Sequence, residues 1–165
     1  MEKKSRSTTE NAKDMKAGSE TLYRAFTNPE ALAVWLAPGE MTGKVHSFDL
    51  RVGGGYTMSL FYPAAEKQAT GKTTEKEDRF TVRFTELNPN KKIVQAINFD
   101  AADPAFAGTM TMEITLKEIP GGTKVTILFT NIPPGIRPED NEAGTKQSLE
   151  KLALYTEKQE NKNEV

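Results

Sequence analysis

The stretch spanning residues 22–56 constrains the fold of this chain more than any other, because two helix patterns and a hairpin pattern follow one another directly within it. It also holds the only tryptophan and the only histidine of the sequence. Thr27 and Glu30 have the spacing of a capping box, and Pro29 supplies the fixed φ angle that a first helical turn accepts. We therefore expect one helix to end near Phe26 and a second to begin near Pro29.

A strand pair is predicted after the second helix. Pro38 and Gly39 stop that helix, and residues 44–51 then alternate between apolar and polar side chains as a strand does. Three consecutive glycines turn the chain into a second alternating strand over residues 56–62. The stretch therefore predicts two helices and an antiparallel hairpin, in that order.

Four more segments alternate in the same way, and a long helical pattern closes the chain. The strand patterns cover residues 80–86, 93–99, 109–117 and 124–130, and the helical pattern runs from 139 to about 158. Strands with one apolar face need a second layer, and the terminal helix is long enough to provide it. We predict an α+β fold in which a curved antiparallel sheet wraps around this helix. The shared core is expected to contain Phe80, Val82, Phe84, Met112, Ile114, Ile127, Leu149 and Leu152.

Both ends of the chain and one internal segment are more polar than the rest. Residues 1–14 fit either a frayed polar segment or an exposed edge strand near residues 5–13. Residues 63–78 are expected to form a loop, and residues 159–165 a solvated tail. The domain itself is then expected to span residues 15–158.

Composition narrows the classes of function. The chain has 165 residues, which suffices for one domain that buries its core without disulfides or a metal. It has no cysteine, which removes thiol nucleophiles and thiolate metal sites and suits the cytoplasm. Its 22 basic and 23 acidic residues give a net charge of −1 without a basic cluster, so nucleic acid is not an expected partner. The sequence shows neither a membrane span nor an apolar leader, and we expect a cytoplasmic protein that needs no cofactor.

Four segments together resemble one protein family. They are YRAFTNPEALAVWL at residues 23–36, VHSFDLRVGGGYTM at 45–58, MTMEITLKEIPGGTKVTI at 110–127 and NEAGTKQSLEKLALY at 141–155. In this order and spacing they resemble the START/SRPBCC superfamily of birch-pollen-allergen-like proteins, and within it the branch named after the activator of heat-shock-protein-90 ATPase. The resemblance implies the helix-grip fold, with two short helices after the first strand. Many relatives carry a tryptophan after the glycine of the closing helix, where this chain has Thr145.

The superfamily includes lipid carriers, hormone-binding proteins, polyketide cyclases and co-chaperone domains, so the resemblance leaves several functions open. The first hypothesis is non-enzymatic binding of a small hydrophobic or amphipathic molecule between the sheet and the closing helix. The second is a protein-interaction module of the heat-shock-protein-90 activator type, with a chaperone as its partner. A cyclase or hydrolase comes third, because no catalytic or metal-binding constellation is evident in the sequence.

A ligand chamber in this fold is expected to be lined by inward side chains of the sheet and of the closing helix. Methionines adapt to irregular ligands, and tyrosines add hydroxyl groups to an apolar lining. Trp35, on the second short helix, either closes over a ligand or packs as an ordinary large aromatic residue. The residues expected to line the chamber are Trp35, His46, Phe48, Tyr56, Met58, Phe84, Phe99, Met110, Met112, Leu149 and Leu152.

His46 has two interpretations. It shares the strand alternation of Phe48 and Leu50, which predicts that it faces the chamber as a polar group. With no cysteine and no second histidine to pair with, it is more often a strand residue that packs or forms a hydrogen bond within the sheet.

The first hairpin also carries a charged pair beside its glycines. Asp49 and Arg51 lie two apart on one face of the strand, and they either fix the hairpin or let the guanidinium hold a ligand carboxylate. Gly53 and Gly54 are expected to serve the turn through positive φ angles or close backbone approach. They are not expected to bind phosphate, because no helix begins after them.

Overall fold

The computed structural model describes residues 7–63 and 77–163. Seven strands, three α-helices and one short 3-10 helix follow one another in these residues. In chain order they are β1 (Ser7–Met15), α1 (Ser19–Phe26), α2 (Pro29–Trp35), β2 (Thr42–Asp49), β3 (Gly55–Phe61), β4 (Glu77–Asn88), β5 (Lys92–Phe99), the 3-10 helix (Pro104–Phe106), β6 (Met110–Ile119), β7 (Gly122–Ile132) and α3 (Pro138–Asn163). Most of the loop predicted at residues 63–78 lies outside the described residues.

The seven strands form one antiparallel sheet in the order β1-β7-β6-β5-β4-β3-β2. Strands β2 to β7 follow one another as a meander, and β1 extends the far edge by pairing with β7. α3 lies across the curved sheet, and α1 and α2 connect β1 to β2. The predicted α+β fold, with its long C-terminal helix and two early short helices, is confirmed.

The N-terminal segment is a paired strand although its sequence is polar. Of the two interpretations given above, the edge strand is the one observed, and β1 pairs with β7 along its length. Thr9 and Asn11 are buried on its inner face, and the Asn141 amide on α3 donates a hydrogen bond of 2.8 Å to the Thr9 hydroxyl. Backbone pairing and short polar side chains replace the apolar alternation that a sequence prediction needs.

The two short helices end and begin where the sequence predicts, but the cap differs. The side chain of Asn28 accepts hydrogen bonds from the backbone N–H groups of Glu30 at 2.8 Å and Ala31 at 3.3 Å. Thr27 instead directs its hydroxyl back to a carbonyl of α1. The predicted capping box is therefore wrong: a proline at the first helical position makes the residue before it the cap, and that residue is asparagine.

The core lies between the sheet and the middle of α3. Leu149 and Leu152 are buried there against inward side chains of the strands. The strand residues predicted for the core belong to the same cluster, namely Phe80, Val82, Phe84, Met112, Ile114 and Ile127. The alternation of β4, β6 and β7 was therefore assigned to the correct face.

α3 is longer than the sequence pattern predicts, because it continues to Asn163. Residues 159–163 are helical instead of forming a tail. The backbone N–H of Gly18 donates a hydrogen bond of 2.8 Å to the Glu160 carboxylate, which ties this end of the helix to the start of α1. Within the described parts of the chain, no helix is long and apolar enough to cross a membrane.

Candidate functional site

An unfilled cleft of about 290 Å³ separates the N-terminal half of α3 from the sheet. Inward side chains of β3 to β7 form its floor, and α3 and the end of α2 form its walls. Most of the lining is apolar and includes Leu60, Phe80, Ile97, Ile127, Phe129 and Ile136. The cleft is therefore an apolar space at the junction of the two layers of the fold.

The cleft exists because α3 carries small side chains where it faces this part of the sheet. Gly144, Thr145 and Ser148 line it and share one face of the helix through their spacing. Further along the helix, Leu149 and Leu152 fill the corresponding space and complete the core. A tryptophan at position 145 would occupy volume that Thr145 leaves open.

Hydrogen bonds between α3 and the end of α2 hold one wall in place. Ser148 donates to the carbonyl of Leu36 at 2.7 Å. The Lys151 ammonium donates to the carbonyls of Ala37 and Gly39, and partial burial lowers its pKa. These bonds satisfy carbonyl groups that the end of a helix leaves without a partner.

Trp35 is a fixed part of the same wall. Its indole N–H donates to the carbonyl of Ala25 at 2.9 Å, and its ring meets Phe26 edge-on with ring centroids 4.8 Å apart. The side chain is fully buried while it also lines the cleft. In this structure Trp35 packs as a large aromatic residue, held by its hydrogen bond and its ring contact. That it closes over a ligand stays a prediction.

Gln95 and Tyr56 are among the polar side chains buried in the lining. Gln95 is 1% exposed, and neither its side-chain oxygen nor its nitrogen has a hydrogen-bond partner in the described part of the chain. Burial raises the pKa of Tyr56, so its hydroxyl stays protonated and able to donate. A buried amide without partners is rare, because leaving both of its groups unpaired costs free energy.

Sequence reasoning did not single out Gln95, although a signal was present. In β5 it lies between Ile93 and Ile97 at positions of the same parity, so the alternation already placed a polar residue on the inward face. Asp78 was missed for a different reason: it fell in the predicted loop, but it belongs to β4 and accepts a hydrogen bond of 2.9 Å from the Tyr62 hydroxyl.

The residues predicted to line a chamber divide into three groups. Those that line this cleft are Trp35, Tyr56, Phe99, Met110 and Met112. Those that pack in or against the core next to it are Phe48, Met58, Phe84, Leu149 and Leu152. Among the second group, Phe48 stacks on the ring of Tyr56 with centroids 5.5 Å apart, and Phe84 contacts both rings. This aromatic cluster supports Tyr56 from behind. Contact of any of these residues with a ligand stays a prediction.

His46 forms the third group, because it lies on the outer face of the sheet. A bulge between Val45 and Ser47 shifts the register of β2 against β3, so that Val45 and Phe48 both face inward. His46 is exposed, and its Nε2 lies 2.8 Å from the hydroxyl of Ser59. The prediction that His46 shares a face with Phe48 is wrong, since strict alternation fails at a bulge.

The charged pair and the glycines of the first hairpin lie away from the cleft. Arg51 Nε donates to the Asp49 carboxylate at 2.6 Å, and both side chains are exposed. Gly53 has a φ of 88°, and a Cβ on Gly54 would lie only 2.6 Å from the carbonyl oxygen of Asp49. The ion pair and the two glycines stabilise the hairpin turn, which needs glycine at both positions.

Two acidic residues, Asp78 and Asp140, belong to the described lining of the cleft. Across the residues that the structure describes, no group of three or more histidine, aspartate or glutamate side chains is placed to hold a metal ion.

Residues 16–157 match the family described as activator of Hsp90 ATPase homolog 1-like protein. The chain belongs to this family. Its resemblance to the START/SRPBCC superfamily is thus confirmed. A crystal structure of a protein from Chromobacterium violaceum is similar to this chain. That structure is 35% identical to this chain with a TM-score of 0.81, and the match covers 91% of this chain and 96% of that chain.

Two other solved structures share the fold of this chain. A crystal structure from Nitrosomonas europaea is 20% identical with a TM-score of 0.70, covering 92% of this chain and 95% of that chain. The solution structure of an AHSA1-like protein from Aeromonas hydrophila is 18% identical with a TM-score of 0.67, covering 92% of both chains. A comparison with curated proteins gives no match.

Proposed function

We propose that this protein binds a small, mainly apolar molecule in the cleft between the sheet and α3, without catalysing a reaction. The observation that carries the proposal is the cleft itself, an apolar space of about 290 Å³ in an otherwise well-filled fold. Sites for small molecules typically begin at about 300 Å³. A volume at this lower end favours a compact ligand over a sterol or a long-chain lipid.

The composition of the lining supports binding more than catalysis. Met110 and Met112 supply flexible, polarisable side chains that adapt to a ligand's shape. The hydroxyl groups of Thr145 and Ser148 donate to backbone carbonyls at 2.7 Å each, so neither is oriented by a neighbouring base. The adaptable methionines and the absence of a base next to either hydroxyl group among the described residues suit a site that binds a ligand by its shape.

Native mass spectrometry of the purified protein, followed by calorimetric titration of any molecule that co-purifies, tests the proposal. Thr145→Trp fills the cleft, and Ala143→Trp adds the same side chain to an exposed position on the same turn of α3. We expect saturable binding to the wild type and to Ala143→Trp, and its loss in Thr145→Trp. Met112→Trp provides a second filling variant if Thr145→Trp does not fold. Binding that both filling variants retain would place the ligand elsewhere.

A protein-interaction role is the second candidate, and the exposed apolar side chains on the turn between β2 and β3 favour it. Leu50 is 48% exposed and Val52 is 60% exposed. The partner suggested by the family's description is a chaperone of the heat-shock-protein-90 type, and the cysteine-free sequence suits the cytoplasm where both roles would operate. ATPase assays of that chaperone with the Leu50→Ser and Val52→Ser double variant test it. Stimulation that the wild type gives and the double variant lacks would favour this role over ligand binding.

A further inference from the structure

Gln95 belongs to the cleft floor, and its side-chain amide has no hydrogen-bond partner among the residues that the structure describes. It lies in β5 directly opposite Phe84 of β4 and Met112 of β6. Neither neighbour offers the hydrogen-bond groups that a carboxamide needs, and both amide atoms of Gln95 are without a partner in the described residues. The partner of this amide therefore has to come from whatever occupies the cleft.

A carboxamide is selective because it presents one acceptor and two donor hydrogens in a plane. Its full complement is a group that also places a donor beside an acceptor, as a carboxamide or a lactam does. An ether, a ketone or an ester satisfies only the donor side of Gln95. A hydrocarbon satisfies neither side.

An anionic ligand suits this cleft less well than a neutral one. A carboxylate, phosphate or sulfate brought into this mainly apolar space would lose its hydration. An ionised carboxylate also has no hydrogen to donate to the side-chain oxygen of Gln95. A neutral amide avoids both costs.

We propose that Gln95 is the specificity-determining residue of this cleft and that it selects a neutral carboxamide or lactam with an apolar body. This inference rests on the proposed ligand-binding function and adds the chemical class of the ligand. The amide of the ligand pairs with that of Gln95 through two hydrogen bonds, while its apolar body lies against Met110, Met112 and Ile97.

Three probes that share one apolar body test the inference, namely para-butylbenzamide, para-butylbenzoate and para-butyltoluene. Dissociation constants are measured by calorimetry for the full-length wild type and for Gln95→Leu, which keeps the shape but removes both polar atoms. For the wild type we expect the amide to bind at least about tenfold more tightly than the benzoate. For Gln95→Leu we expect the amide to lose at least about tenfold in affinity, while the hydrocarbon stays within about twofold.

The outcomes separate this inference from the function on which it rests. Binding of the hydrocarbon without any preference for the amide, or an amide affinity that Gln95→Leu leaves unchanged, overturns the inference and keeps the cleft as a binding site. Failure of all three probes to bind the wild type overturns both. Gln95→Met replaces Gln95→Leu if the leucine variant does not fold, and the same expectations apply to it.

Discussion

Tyr56 shows how burial changes the chemistry of a single residue. Its hydroxyl lies in the cleft lining, and burial raises its pKa above the ordinary value of 10.0. The folded protein therefore holds this proton more tightly than the unfolded chain does. Its contribution to stability is complete below pH 10.0 and is lost as the pH rises above that value toward the folded-state pKa.

Replacing Tyr56 with phenylalanine removes this dependence on pH. We expect the unfolding free energy of the wild type, relative to Tyr56→Phe, to fall with rising alkaline pH by up to about 1.4 kcal/mol per pH unit. Urea denaturation of both proteins at about pH 9 and about pH 11 measures the difference. The other ionisable groups are common to both proteins, so their effects cancel. A difference that stays constant across this range would mean that Tyr56 ionises as easily in the folded protein as in the unfolded chain.

Residue-level prediction from the sequence succeeded where a side chain follows the average geometry of its element. Tyr56 and Met112 obey strand alternation and lie in the cleft lining, while their contact with a ligand stays a prediction. His46 does not, because one extra residue in β2 reverses the alternation, and a bulge has no composition of its own to reveal it. The sequence shows Gln95 as a polar residue on an inward face. It does not show that both amide atoms lack hydrogen-bond partners among the described residues.

At the scale of elements, α3 has two roles along its length. Gly144, Thr145 and Ser148 place small side chains over the cleft, and Leu149 and Leu152 pack against the sheet. The periodicity of the leucines revealed the second role in the sequence. The first role was hidden, because small residues on a helix face do not indicate whether the opposing layer fills the gap.

The leucines of α3 lead to a prediction with a control in the same helix. Replacing Leu149 or Leu152 with alanine should lower the unfolding free energy by about 2–5 kcal/mol, because each buried side chain would leave a cavity in the core. Leu154 is 62% exposed, and the same change there should cost no more than about 0.5 kcal/mol. Chemical denaturation of the three variants measures these values. Equal losses at all three positions would show that packing against the sheet does not set the effect, because alanine forms helices at least as well as leucine.

At the scale of the whole molecule, the order of elements was predictable because each carries its own pattern of apolar residues. The strand β1 was only one of two options, since an edge strand such as this one is held by backbone pairing with β7. The size of the cleft was not predictable at all. It depends on how closely α3 approaches the sheet. Ser148 and Lys151 contribute to the position of α3 through hydrogen bonds to carbonyl groups at the end of α2.

The cleft also links stability to ligand binding, and replacing Gln95 tests this link. A buried donor and acceptor without partners cost about 1–3 kcal/mol, so Gln95→Leu should raise the unfolding free energy of the ligand-free protein by about 1 kcal/mol or more. The melting temperature should rise by about 2–4 °C for each kcal/mol. Gln147 on α3 is exposed, so Gln147→Leu makes the same chemical change with an expected effect within about 0.5 kcal/mol. Calorimetric melting of the three proteins without ligand tests this. A gain in stability together with loss of amide binding would mean that Gln95 serves recognition at a cost to the stability of the fold. A clear loss of stability would mean that the Gln95 amide already has hydrogen-bond partners in the ligand-free protein.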